Sequence, residues 1–178
     1  MIFGMSLLTF VHVLLSLIGI LTGLVVLAGL LASKGMNVWN AVFLISTVLT
    51  SVTGFLFPFH RFLPSHGVGI LSCVLLAVAI IARYGQRLAG GWRRTYAITA
   101  VLSLYLNVFV LVAQLYDKVP ALKAMAAASA QPFAITQLVV LVVFLVLTVL
   151  AAIKFRVAPG DGLPQAPVAE VADARRTP

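Results

Sequence analysis

An all-α polytopic bundle of five transmembrane helices is the fold class this sequence predicts, and three observations predict it. Hydrophobic residues make up 62% of the 178 residues, charged residues only 9%, and the mean hydropathy is +1.16. A water-soluble domain carries roughly a quarter charged residues, so this chain cannot clothe its surface with them. The apolar residues gather into five runs that approach the roughly 20 residues needed to cross a hydrocarbon core about 30 Å thick. The basic residues fall in the short stretches between those runs, where they set orientation.

The first run, Leu7–Ala32, follows an N-terminus without charge and is too long for the apolar stretch of a secretory signal, so it is expected to remain as a membrane helix. Within it Gly19 and Gly23 form a GxxxG step that permits close helix approach. The second run, Val38–Phe57, carries Ser46, Thr47, Thr50, Ser51 and Thr53, hydroxyl residues that can return their hydrogen to their own helix backbone. The third, Ser65–Ala82, is the shortest and starts after Pro64 with Ser65 as an N-cap. The fourth, Thr95–Tyr116, bears a polar stripe. The fifth, Phe133–Ile153, offers only Gln137 and Thr148 and is predicted to be a lipid-facing cover. Residues 1–156 form the membrane domain. Residues 157–178, rich in proline, alanine and charge, bury too little to offset the entropy of ordering and read as a flexible cytoplasmic tail.

Five spans put the termini on opposite sides. Lys34, Arg83, Arg87, Arg93, Arg94, Lys154, Arg156, Arg175 and Arg176 then share one side, against Arg61, Lys118 and Lys123 on the other. The positive-inside tendency places the N-terminus outside and the C-terminus in the cytoplasm of a bacterial inner membrane. The same location removes nucleic acid as the partner for a net charge of +8. The lipid bilayer is the implied partner, with a second membrane protein or a homo-oligomer as further candidates. "GILTGLVVLAGLLASKG" at Gly19 and "GILSCVLLAVAIIARYG" at Gly69 align as an internal repeat, with Trp39 and Trp92 recurring downstream. Helices one and two would then match helices three and four as parallel hairpins, with helix five appended.

This topology assigns His12, His60, His66 and Asp117 to the outer leaflet. His12, Ser16, Gly19 and Gly23 share one helical face, so His12 is expected to point at a neighbouring helix. Ser103, Asn107, Gln114 and Asp117 form one stripe on helix four. Together with Arg61 these residues sketch an outward-facing polar recess. Each also has a plainer role. His12 can make one hydrogen bond to another helix, and His60 with Arg61 can sit among Phe57, Phe59 and Phe62 at headgroup level. His66 can help to start helix three. Asn107 and Gln114 can join helices, and Asp117 can pair with Lys118 at the surface. No HExxH, CxxC, carboxylate dyad or phosphate loop is present, and the single cysteine, Cys73, forms no intrachain disulfide. The chain reads as a non-enzyme more readily than as an enzyme.

"HVLLSLIGILTGLVVL", "TSVTGFLFP" followed by "LPSHGVGILS", and "LYLNVFVLVAQLYDKVPAL" resemble small multi-pass bacterial inner-membrane proteins of unknown function. A looser likeness is to b-type membrane cytochromes, in which histidines on neighbouring helices supply the axial ligands of haem. That resemblance puts His12 and His66 forward as the ligand pair. The residues support three functional readings. In the first, His12, His60 and His66 hold haem b or a transition metal, which suits imidazole. In the second, the polar stripe of a structural or accessory subunit packs against its own helices or a partner. In the third, less favoured, the stripe lines a small transporter, although "LVVLAGLL" and "VLLAVAII" do not continue it.

Overall fold

The computed structural model describes residues 6–57 and 64–156. Its helices are α1 (Leu7–Leu31), α2 (Asn37–Phe55), α3 (Pro64–Ile80), α4 (Trp92–Lys118), α5 (Pro120–Ala128) and α6 (Gln131–Lys154), and α3 runs on into a π-helical turn, Ile81–Gly85. Five helices are long and apolar enough to cross a membrane, as the composition predicts, and the chain is a multi-pass membrane protein. The short α5 lies outside the five predicted segments.

Local chemistry sets the helix ends. Ser6 caps α1 by accepting a hydrogen bond from the Thr9 amide at 3.1 Å. At the other end the amide of Lys34 reaches the carbonyl of Gly29 at 2.8 Å, across Ser33 in the left-handed conformation (φ 54°). This is the 6→1 closure that usually employs glycine. Ser33 stands there instead, and its hydroxyl accepts the Arg156 amide at 2.8 Å, tying the end of α6 to the end of α1. Proline opens α5 and α6, where its missing N–H has no helical partner to lose.

Helices α1 to α4 form a ring in which each packs on its sequence neighbour and α4 closes onto α1. α1 and α3 therefore stand diagonally, without extensive contact. α6 lies outside the ring against α4 and, less extensively, α1. The core runs through the ring centre as Val26, Phe43, Leu76, Tyr96, Val101 and Leu104, all almost fully buried. Gly23 allows that closeness, because a Cβ there would lie 2.6 Å from Leu104 Cδ1 and 2.9 Å from Phe43 Cε2. α6 is the expected cover: most of its surface faces outward, while Phe144 turns in beside Tyr105 at a ring separation of 5.8 Å.

Part of the burial pattern follows the offset of the expected repeat. Thr22, Val26 and Gly29 of α1 are buried, and so are Ser72, Leu76 and Ala79, their equivalents fifty residues later on α3. On the second helices the buried pairs are Phe43 with Tyr96, Ser46 with Thr99, and Thr50 with Ser103. The correspondence is partial, since Ile20, Leu27 and Leu30 are buried on α1 while Ile70, Ala77 and Ile80 are exposed on α3.

Candidate functional site

The predicted site begins at His12, half-buried on α1. Its Nδ1 lies 2.9 Å from Thr53 Oγ1 on α2, and its ring meets Phe57 edge-on with centroids 5.2 Å apart. The direction of that hydrogen bond follows from counting hydrogens. Thr53 has one hydroxyl hydrogen, and it is directed at the α2 backbone, with Leu49 O at 2.8 Å and Thr50 O at 3.1 Å. With that hydrogen on the backbone, Thr53 Oγ1 is an acceptor for a His12 tautomer protonated on Nδ1. The lone pair of a neutral imidazole is then on Nε2, which makes no hydrogen bond among the described residues. Gly54 lies alongside, where an added Cβ would meet His12 Cε1 in ordinary contact at 3.5 Å. Ser16, one turn below, donates its hydroxyl to the His12 carbonyl at 2.8 Å.

Further along the bundle most buried hydroxyls bond to their own helix backbone, while a few hydrogen bonds cross between helices. Asn107 Nδ2 of α4 lies 3.4 Å from Thr47 Oγ1 of α2, and both approach the face of α1 that Gly19 leaves bare. Ser51 of α2 donates to Ser72 of α3 at 3.1 Å. Gln137 of α6 donates to the Phe109 carbonyl of α4 at 3.1 Å. These bonds cross between helices in a region without water to compete, where such groups hold a bundle together.

The predicted residues are not all brought together. His66 sits on α3 with its ring 6.5 Å from that of Phe55 on α2, whereas His12 bonds to α2 from α1. Gln114 is exposed near the end of α4. Asp117 is exposed as well and pairs with Lys118 at 2.8 Å and Lys123 at 3.7 Å, both solvent-facing. His60 and Arg61 lie outside the described residues, as does the tail from residue 157. Among the described residues no group of three or more His, Cys, Asp or Glu side chains could hold a metal ion.

At the opposite end of the bundle lies a polar cluster that the sequence reading assigned to a loop. Arg83 was counted with the charges beyond helix three, but the helix continues through the π turn and turns that side chain inward, to 1% exposure. Its Nη2 donates to the Gly35 carbonyl at 3.0 Å and to Asn37 Oδ1 at 2.7 Å. The guanidinium lies 5.2 Å from the centre of the Tyr96 ring and 5.8 Å from that of Tyr84. Tyr96 donates its hydroxyl to Asn40 Oδ1, while Asn40 Nδ2 holds the Met36 carbonyl at 2.7 Å and the Gly35 carbonyl at 3.1 Å. One arginine thus fastens the α1–α2 connection, the π turn and the start of α4. The signal for it in the sequence is slight: two asparagines, Asn37 and Asn40, just ahead of an apolar run, and an arginine directly abutting another. Comparison with protein-family models, curated proteins and solved structures finds no match to this chain.

Proposed function

We propose that this protein is a non-catalytic structural or accessory subunit of a bacterial inner membrane, with its N-terminus outside and its C-terminus in the cytoplasm. The observation that carries this reading is that the polar side chains of the membrane interior bond across the helices: His12 to Thr53, Asn107 to Thr47, Ser51 to Ser72, and Gln137 to the Phe109 carbonyl. A transport path or a reactive centre would need such groups to face a substrate. Here they face each other, and the layer of Val26, Phe43, Leu76 and Leu104 beyond them is apolar and closed. The orientation rests on the basic residues collected at the Arg83 end.

A second reading, binding of haem b or a transition metal, is favoured by one specific feature. A hydrogen bond from Nδ1–H that fixes the ring and leaves Nε2 with its lone pair is how ligating histidines are commonly held. His12 would be the anchoring ligand, with His66 or His60 completing the set, and the group would supply electron transfer or Lewis acidity at that leaflet. Purification from haem-replete cells, followed by absorption spectroscopy and elemental analysis of wild type and His12→Ala, separates the two. The structural reading expects a colourless, metal-free wild type, with His12→Ala lowering only the thermal midpoint. A Soret band, or a stoichiometric metal that His12→Ala abolishes, would overturn it in favour of the second.

A further inference from the structure

The ends of α1 and α6 and the starts of α2 and α4 converge on one charged surface. The Arg156 amide bonds to Ser33 Oγ, Phe155 packs beside Tyr96 with ring centres 6.2 Å apart, and Arg83 joins the π turn to Gly35 and Asn37. Around these fastenings stand Lys34, Arg87, Arg93, Arg94, Lys154 and Arg156, all exposed except the half-buried Arg93. No carboxylate among the described residues lies at this end; the described one, Asp117, is at the other end of α4. Arg93 and Arg94 occupy the first turn of α4, where the helix field is already positive, and that turn has neither an acidic residue nor a side-chain cap. Arg93 Nε is covered and has no hydrogen-bond partner among the described residues. Two cations at one helix start are repelled by each other and by the helix field unless an anion joins them. Trp39 and Trp92 flank the patch, 45% and 38% exposed, the amphipathic rings expected at headgroup depth.

We propose that this end of the bundle binds the phosphodiester headgroups of anionic phospholipids, with Arg93 and Arg94 at the start of α4 as its centre. The surface lies at the edge of the membrane-crossing helices, so a lipid phosphate is the anion that meets it at high local concentration. Attraction of this kind acts over about a Debye length and weakens with salt.

The two tryptophans are the only ones in the chain and both flank the patch, so they report on it directly. The protein, reconstituted in phosphatidylcholine bilayers, is titrated with brominated phosphatidylglycerol or brominated phosphatidylcholine while tryptophan fluorescence is followed. A relative binding constant of about 5 or more in favour of phosphatidylglycerol is expected. It should fall toward 1 in the double variant Arg93→Gln, Arg94→Gln and in high salt. Should the double variant fail to fold by circular dichroism, Arg94→Gln alone, at an exposed position, is expected to lose part of the preference. Equal quenching by the two lipids in wild type would overturn the proposal. So would a preference unchanged in the folded variant, or relief of quenching by millimolar inorganic phosphate, which would mark a site for the free anion.

Discussion

Replacing Gly23 by alanine tests whether the ring of α1 to α4 is packed as described. A Cβ at this position would stand 2.6 Å from Leu104 Cδ1 and 2.9 and 3.0 Å from two atoms of the Phe43 ring. Neither neighbour can retreat, because Phe43 is 0% and Leu104 1% exposed. Overpacking of this kind costs about 1–3 kcal/mol. Alanine recovers roughly 0.5–1 kcal/mol through its better helix propensity. The net expectation is centred on a loss of about 1 kcal/mol and reaches about 2.5 kcal/mol, a fall of roughly 2–10 °C in thermal midpoint for a chain of this size. Gly67→Ala is the internal control. Nothing among the described residues lies within 4 Å of its added Cβ, so the propensity gain should emerge unopposed and the midpoint should hold or rise. Thermal unfolding of the detergent-solubilised protein, followed by circular dichroism, measures both. A Gly23→Ala variant as stable as wild type, or a Gly67→Ala variant that falls equally far, would refute the packing argument.

Two further substitutions probe the polar groups. Arg83→Met leaves the Gly35 carbonyl and Asn37 Oδ1 without their shared donor, and a loss of about 2–4 kcal/mol is expected in the same assay; Arg83→Lys should recover only part of it, since an ammonium lacks the flat fork that lies beside Tyr96. Gln137→Leu removes one interhelical hydrogen bond but also a buried Oε1 that has no partner among the described residues, so its midpoint should stay within about 0.5 kcal/mol of wild type; a large loss would show that this oxygen is engaged.

The spans themselves were legible to within about three residues. The predicted Leu7–Ala32 is α1 at Leu7–Leu31, and Phe133–Ile153 is α6 at Gln131–Lys154. Facing was legible in part. The spacing of His12, Ser16 and Gly19 put His12 toward a neighbouring helix, and α2 is that neighbour. The α4 stripe shows where periodicity stops. Ser103 and Asn107 lie within the ring, while Gln114 and Asp117, on the same helical face, are exposed. Spacing defines a face but not how far along the helix that face stays covered. At about 1.5 Å per residue, α4 is roughly 40 Å long and outruns the helices beside it.

By itself the sequence determined that this chain crosses a membrane five times, because transfer into hydrocarbon sums over roughly twenty consecutive residues and needs no knowledge of neighbours. It also determined that the polar residues would be few and interior, since each is costly against lipid. Which of them meet was decided only by the tertiary structure. Arg83 looks like a loop charge until a π turn and the Gly35 carbonyl, 48 residues away, give its guanidinium a place inside. His12 and His66 share a leaflet by topology, but the helices that carry them, α1 and α3, stand diagonally in the ring without extensive contact. Such pairings depend on the order of helices around the ring, and that order is set by close packing at positions such as Gly23, which hydropathy does not register.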